Sequence, residues 1–216
     1  MEILQELALL FRYLLAGTGV TLAVSAIAIS LGFAFGVTLA IMRVYGGCFL
    51  SRFALIYSTA VRAIPVVVII FLLYFVIASA VDLSPFLSGA LALGFSSAAY
   101  QSEVFRGAFQ SVSGGQMLAA RALGMGRMQA IRFVILPQAI RLAIPPWSNE
   151  AAIVLKDSSL VYILGVPEIL RRAEYVSAVT LQPFLAFGAA AIIYFILTFL
   201  TNRGLDWLER HYRILT

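Results

Sequence analysis

The chain of 216 residues is 62% hydrophobic and only 12% charged, and its mean hydropathy is +0.99. Soluble domains contain about 45–50% apolar and about 25% charged residues, so this composition excludes a soluble domain and a disordered chain and indicates a membrane protein. The formal net charge is +5, but the basic residues fall between apolar segments, which is typical of topology signals and not of a nucleic-acid-binding face.

Five apolar segments are long enough to cross a bilayer as helices, which takes about 20 residues. Uninterrupted apolar runs also exclude an outer-membrane barrel, whose strands alternate polar and apolar residues. We therefore predict an all-α membrane protein with five transmembrane helices, in which residues 1–216 form a single transmembrane domain. The segments cover residues 13–42, 63–81, 83–102, about 133–164 and 175–202. Since the first six residues contain no Lys or Arg, we expect the first helix to be retained and not cleaved as a signal peptide.

The loop charges predict the orientation. Basic residues concentrate after the first and third spans and in the C-terminal tail, at Arg43, Arg52, Arg106, Arg121, Arg127, Arg132, Arg203, Arg210 and Arg213. By the positive-inside rule these segments are cytoplasmic, so we expect the N-terminus outside and the C-terminus inside.

The first span carries small residues four positions apart, which allows another helix to approach closely. The approaching helix can belong to the same chain, which is the interpretation we favour, or to another subunit. The four residues are Ala28, Gly32, Gly36 and Ala40.

Cysteine and histidine chemistry is nearly absent. Cys48 has no second cysteine for a disulfide, and the single histidine, His211, lies six residues from the C-terminus. We therefore expect no metal site and no intramembrane enzyme chemistry in this chain.

The segment after the third span predicts a short cytoplasmic helix. Gly114 and Gly115 break the preceding helix, residues 116–123 favour helix, and Gly124 is placed as a C-terminal cap. Such a helix can dock in a groove of a partner by presenting Ala119 and Ala120, or it can lie on the lipid surface as an amphipathic helix.

This loop resembles the E-A-A, three residues, G, nine residues, I-x-L-P motif of ABC importer permeases. The matching positions are Ala119, Ala120, Gly124, Leu136 and Pro137, with Val134 in place of Ile and Leu118 in place of the leading Glu. Further short matches, in the right order from about residue 19 to about residue 210, resemble the branch for polar and basic amino acids. They include Arg62 and Pro65, Ser97 to Tyr100, Phe105 to Gly107, Lys156 to Leu160 and Gly165 to Glu168.

The resemblance implies a permease subunit in the cytoplasmic (inner) membrane of a prokaryote. The implied partners are two ABC ATPase subunits, a second permease that is itself or a homologue, an extracytoplasmic amino-acid-binding protein and the lipid bilayer, with no nucleic acid. The chain has no phosphate-binding G-x-x-x-x-G-K-[ST] loop, so we expect no cofactor in it, with ATP and magnesium bound by the partner ATPase. The loop, about 113–128, would then be the coupling element, through Leu118, Ala119, Ala120 and Gly124.

The fourth span contains Glu150, Lys156 and Asp157, and ionisable residues in a membrane helix are costly enough to suggest function. Glu150 and Asp157 are two helical turns apart and share a face. They are candidate ligands for the ammonium group and any cationic side chain of an amino acid. The alternative is that Lys156 neutralises one of them and that the cluster only pins helices together.

The third span supplies Ser96, Ser97 and Tyr100 as candidate ligands for the substrate, although small hydroxyls in membrane helices commonly bond to backbone instead. At the ends of the spans we expect a Glu103–Arg106 ion pair and an Arg62 side chain that reaches toward lipid headgroups. Residues 167–175 are a candidate docking surface for the binding protein, or a solvated interfacial helix.

We therefore predict an importer of polar, preferably cationic, amino acids or close derivatives. Two other classes remain open. One is an ion-coupled secondary amino-acid transporter that uses Glu150 and Asp157, and the other is a structural membrane scaffold; the lack of an inverted repeat argues against the first of these.

Overall fold

The computed structural model describes residues 2–112 and 114–212, and every regular element within these ranges is helical, as predicted. The helices are α1 (Glu2–Leu15), α2 (Thr18–Tyr45), α3 (Cys48–Ala63), α4 (Val66–Leu72), α5 (Ser79–Val81), α6 (Pro85–Ser111), α7 (Gly114–Ala122), α8 (Arg127–Ala130), α9 (Leu136–Asp157), α10 (Ile169–Thr180) and α11 (Pro183–Tyr212). A π-helical segment, Leu73–Ala78, joins α4 to α5, a second, Ile131–Ile135, joins α8 to α9, and a 3₁₀ segment, Ser158–Leu164, follows α9. Ser113, the first residue of the predicted loop, and Arg213 lie outside the described residues.

Length and hydropathy identify fewer membrane-crossing helices than the five segments of the sequence. Two helical stretches, Leu7–Tyr45 and Pro183–His211, are long and apolar enough to cross a bilayer, and α3 with the segment that follows makes up to three. Helices α6 and α9 are not among them, and both carry charged side chains within the helix.

Two predicted boundaries are wrong. The region between the first and second predicted spans is not a loop, because α3 fills it and contains Arg52. The chain bends by 104° between α3 and α4. The bend lies at Ile64 and Pro65, where proline favours an extended residue before it, and Ile64 has φ −96° and ψ 130°.

The last predicted span also begins too early. Residues 175–180 belong to α10, and α11 begins only at Pro183. The two helices are separated at Leu181, which has a left-handed φ of 57°, and the ring of Pro183 then suits the first position of a new helix.

Helices α2 and α6 form the closest packing in the fold. All four small residues of the stripe on α2 are buried, and a Cβ added to Gly36 would lie 2.9 Å from Cβ of Gln101 and 3.2 Å from the backbone nitrogen of Ser102. A Cβ on Gly32 would overlap the amide of Gln101. The stripe therefore serves packing within the chain, which was the favoured interpretation.

A substitution in this contact should destabilise the protein. We expect Gly36→Ala to lower stability by about 1–3 kcal/mol, because the backbone of α6 has to move to make room. Gly19→Ala on the same helix is the control, since nothing lies within 4 Å of its added Cβ and alanine improves helix propensity. Thermal unfolding in detergent, followed by size-exclusion chromatography, measures both. Equal midpoints for the two variants would contradict tight α2–α6 packing.

The buried carboxylate of Glu168 ties α10 to α11. It has no exposed surface, and it accepts hydrogen bonds from the backbone nitrogens of Leu170 (2.8 Å) and Arg171 (2.6 Å) and from the hydroxyl of Tyr194 on α11 (2.6 Å). Glu168 therefore caps the N-terminus of α10 and satisfies a buried hydroxyl at the same time. From the sequence, Glu168 was only part of a motif and of a segment expected to be a docking surface or a solvated interfacial helix.

Removing this carboxylate should cost more than removing an exposed one. We expect Glu168→Ala to destabilise the protein by about 1–3 kcal/mol, because the cap is lost and the Tyr194 hydroxyl is left buried without its acceptor. Glu174→Ala, which breaks only the exposed pair with Arg171, should change stability by less than about 1 kcal/mol. The comparison uses the apparent melting temperature of each purified variant, and a Glu168→Ala value within error of that of Glu174→Ala would refute the capping role.

Candidate functional site

A small cavity of about 150 Å³ lies between α4, α6 and α9. All five residues that the sequence suggested as substrate ligands line it, together with four apolar side chains. The lining consists of Val66, Leu93, Ser96, Ser97, Tyr100, Glu150, Ile153, Val154 and Asp157.

Helical periodicity explains why these side chains meet. On α9 the lining positions are 150, 153, 154 and 157, which is the spacing of one face over two turns. On α6, Ser96, Ser97 and Tyr100 cover one turn on the side that faces α9. Two helices that turn these faces toward each other enclose the polar groups between them.

The two carboxylates in the cavity have no cation bound directly to them among the described residues. Glu150 is 8% exposed, whereas Asp157 is half-buried. Lys156 is exposed, does not line the cavity and forms no ion pair within the described residues, although its charge acts on its neighbour Asp157. The geometry therefore does not favour the interpretation that Lys156 neutralises Glu150.

The three candidate residues on α6 differ in their surroundings. Ser96 and Ser97 are both 3% exposed, while Tyr100 is 37% exposed. The hydroxyl of Ser97 accepts a hydrogen bond from Nε2 of Gln101 at 2.8 Å, so it bonds to a side chain and not to the backbone. Ser102, by contrast, bonds to the carbonyl of Ala99 at 2.7 Å, as small hydroxyls in membrane helices commonly do.

Arg62 lies beside this cavity, at a second cavity of about 360 Å³ that shares Tyr100 as a wall. Its guanidinium carbon is 5.4 Å from the centre of the Tyr100 ring, and its charge acts on the carboxylates of both Glu103 and Glu150. The sequence analysis assigned this side chain to lipid headgroups. The sharp bend at Pro65, which was not anticipated, brings the end of α3 next to α6 instead.

Charges of opposite sign stand at two neighbouring cavities, the carboxylates on α9 and the guanidinium of Arg62 on α3. The two carboxylates line the cavity of about 150 Å³, and the guanidinium stands at the cavity of about 360 Å³. Tyr100 lines both cavities. Such a site can bind a zwitterion with an ammonium at one end and a carboxylate at the other. The predicted Glu103–Arg106 ion pair is confirmed at 2.7 Å and leaves that glutamate engaged.

The predicted loop helix is present but presents a different surface. Helix α7 begins at Gly114, two residues earlier than expected, and Gly124 has the left-handed φ of 84° that its placement as a cap predicted. Ala119 is exposed, whereas Ala120 is 3% exposed and packs inward, so only Ala119 of the predicted pair is accessible. Leu118 and Leu123 are 73% and 82% exposed.

Part of the segment 167–175 makes its contacts within the chain. The side chain of Arg172 donates to the backbone carbonyls of Pro167 (3.1 Å) and Tyr13 (3.3 Å) and lies over the Tyr13 ring. Arg171 and Glu174 pair with each other at the surface. The exposed charges left for a partner are therefore fewer than the sequence indicated.

Comparison with known proteins gives concordant relationships. Residues 32–214 match the family model described as binding-protein-dependent transport system inner membrane component. The chain is 38% identical over 209 residues to the octopine transport system permease protein OccQ of Rhizobium meliloti, covering 91% of this chain and 88% of that protein. It is 33% identical over 205 residues to the glutamine transport system permease protein GlnP of Escherichia coli K12, covering 94% of both.

A solved structure shows the same fold. The crystal structure of an amino acid ABC transporter with histidines aligns with a TM-score of 0.81 and 31% identity over 93% of this chain and 94% of that chain. The family model covers most of the chain, and both relatives exceed 30% identity over nearly their whole length. The chain therefore belongs to the family of binding-protein-dependent transport system inner membrane components, the permease subunits of ABC importers.

Proposed function

We propose that this permease moves polar amino acids or close derivatives, with a preference for cationic ones, through the cavity between α6 and α9. The observation that carries the proposal is the pair of carboxylates, Glu150 and Asp157, in one cavity without a bound cation. The relatives named for octopine and glutamine transport support an amino-acid-like substrate for this chain as well. Because these relatives are named for different substrates, membership of the family does not select one ligand. We infer that the lining of the cavity and the binding protein select it.

In this proposal each end of the ligand meets a charge of opposite sign. Glu150 and Asp157 bind the ammonium group and a cationic side chain, with Ser96 and Ser97 as hydrogen-bonding neighbours. Arg62 binds the carboxylate, with Tyr100 between the two ends. Because the cavity of about 150 Å³ is smaller than common ligand sites, we expect it to widen on the α4 side when substrate enters.

We also propose the five-span topology, with the N-terminus outside, the C-terminus in the cytoplasm and residues 1–216 as one transmembrane domain in the inner membrane. Helices α6 and α9 then cross the bilayer despite their polar residues, because these residues face the interior of the bundle. Two observations support this placement. Glu150 is buried between helices, and apolar side chains such as Phe49, Phe75 and Phe195 are exposed on the outside of the described fold.

The proposed assembly contains a second permease, two ABC ATPases that bind ATP and magnesium, and an extracytoplasmic amino-acid-binding protein. We assign the contact with an ATPase to the loop of about residues 113–128, which contains α7 and its cap Gly124. Leu118 and Ala119 are exposed there, and Leu123 follows them at the end of the helix. Leu118, where the family motif has Glu, makes this contact more apolar.

Neutralising the carboxylates tests the substrate site. We expect Glu150→Gln and Asp157→Asn each to lower ATP-dependent uptake at least tenfold, because the cation loses its charged ligand, while the complex still assembles. Lys156→Gln is the matched control on the same helix, since Lys156 lies outside the cavity. Uptake of radiolabelled arginine and glutamine is measured in proteoliposomes that contain the whole importer.

The same assay distinguishes the other classes. Uptake that proceeds without ATP and depends on Glu150 would indicate an ion-coupled secondary transporter. Wild-type uptake in both carboxylate variants would remove these residues from the substrate site and would agree with a scaffold role for the charges.

Copurification tests the coupling role of α7. We expect an ABC ATPase to copurify with the tagged chain at about one copy per permease. Gly124→Trp should lose the ATPase, because only glycine adopts this left-handed cap without strain and the indole would cover the end of α7. Gly188→Trp on α11 is the control for adding an indole at an open glycine. Retention of the ATPase by the Gly124 variant, in amounts equal to the control, would refute the assignment of this loop.

A further inference from the structure

Gln101 is a buried amide that connects three helices. It has no exposed surface, although it lies in the middle of α6 in a segment of largely polar residues. Its Oε1 accepts from the indole nitrogen of Trp147 on α9 at 2.7 Å, and its Nε2 donates to the hydroxyl of Ser97 at 2.8 Å and to the carbonyl of Ile29 on α2 at 3.4 Å. Every hydrogen-bonding atom of the amide therefore has a partner on α2, α6 or α9.

The packing around Gln101 leaves it little freedom. Gly32 and Gly36 of α2 face it from one side, and an added Cβ on either glycine would come within van der Waals overlap of its side chain. Phe33, also on α2, lies edge-on to Trp147, with the ring centres 6.0 Å apart. The indole and the amide are thus held in one orientation by apolar neighbours and by their mutual hydrogen bond.

The bond lies next to a weak point of α9. Pro145 and Pro146 are inside this helix and donate no backbone hydrogen bonds, so the carbonyls of Arg141 and Leu142 four residues earlier lose their usual partners. Trp147 is the next residue. The helix consequently divides into a half that connects to the α7 loop and a half that carries Glu150 and Asp157.

A cavity on the loop side of this point gives the first half room to move. It has a volume of about 380 Å³ and lies between α2, α6 and α9, with Trp147 at its inner end. The walls are almost wholly apolar and consist of Phe33, Phe105, Pro137, Ile140, Arg141, Ala143, Ile144 and Trp147. Arg141, the charged side chain among these walls, forms no ion pair within the described residues that a bend at the two prolines would break.

We propose that Gln101 and Trp147 are positioning residues that keep the Glu150 half of α9 on α6 while the loop half moves. The bond keeps the carboxylates beside Ser97 and Tyr100 while the loop half of α9 moves, so the movement changes access to the cavity and leaves its lining in place. This inference rests on the proposed function. The inference adds to the proposed function the contact that couples movement of the loop to access to the cavity.

Three variants test the proposal in the reconstituted importer, with ATP hydrolysis and substrate uptake measured on the same vesicles. Trp147→Phe removes the indole donor and keeps the aromatic packing, and Gln101→Met removes the amide and keeps its length. We expect each to raise the ATP hydrolysed per substrate imported about three- to tenfold, since the ATPases still move the loop. Gln101→Glu should keep the ATP hydrolysed per substrate close to the wild-type value, because either protonation state of the carboxyl provides an acceptor for the indole.

Trp207→Phe is the matched control, since Trp207 is 66% exposed near the end of α11, far along the chain from the cavity. The ATP hydrolysed per substrate imported by this variant should equal that of the wild type. The double variant Trp147→Phe with Gln101→Met should be no worse than the more affected single variant, because both remove the same bond.

The outcomes separate the two levels of the proposal. Wild-type protein that shows no ATP-dependent uptake would overturn the proposed function and this inference with it. Wild-type protein that imports normally, with unchanged ratios in Trp147→Phe and Gln101→Met, would overturn only the role of the pair. A loss of uptake and hydrolysis in equal proportion, with a lowered melting temperature, would show that the pair serves stability alone and would also overturn it.

Discussion

The close approach of α2 and α6 is the constraint on which the rest of the structure depends. It requires glycine at positions 32 and 36, because the side chain of Gln101 fills the space that any larger residue would need. Once α6 is held there, its Ser96, Ser97 and Tyr100 face α9, and Gln101 reaches both neighbouring helices. Packing of small residues thus places a polar group in the interior at a depth where it can be fully hydrogen-bonded.

Polar residues in the described fold fall into two groups with different consequences. Gln101 and Glu168 are fully buried, and their polar atoms form hydrogen bonds within the protein. They therefore join helices and do not offer a hydrogen-bonding group to a ligand. Glu150 and Asp157 line a cavity and form no ion pair with a basic side chain of the described residues. A buried charge without a partner is expensive, and a cationic ligand is one way to offset that cost during transport.

Pro145 and Pro146 in α9 lie between the cavity lined by Glu150 and Asp157 and the segment that leads back to α7. Two adjacent prolines weaken the backbone at one point, an apolar cavity lies on the loop side, and the Gln101–Trp147 bond lies on the other. If α9 bends at these prolines, Glu150 keeps its position relative to Ser97 only where α9 stays attached to α6. The contact between α6 and α9 supplies that condition within a single subunit.

The sequence by itself determined the helical class, the family, the cap at Gly124 and five of the nine residues that line the cavity. These follow from hydropathy, from residue spacing along single helices and from motifs, all of which are local properties of the chain. Prediction from the sequence was wrong where contacts with neighbouring segments decide the ends of a helix. Uncharged length could not separate α10 from α11, and the charge of Arg52 suggested a loop where α3 forms.

The tertiary structure decided which side chains meet. Whether Arg62 reaches lipid or Tyr100 depends on a bend of 104° at Pro65, and whether Ala120 is accessible depends on what packs beneath α7. Glu168 and Gln101 show the same limit, because each is satisfied by partners distant in sequence, and periodicity cannot report a hydrogen bond between residues 46 positions apart such as Gln101 and Trp147. Local patterns specify the faces of helices, and only the assembled fold specifies which faces are in contact.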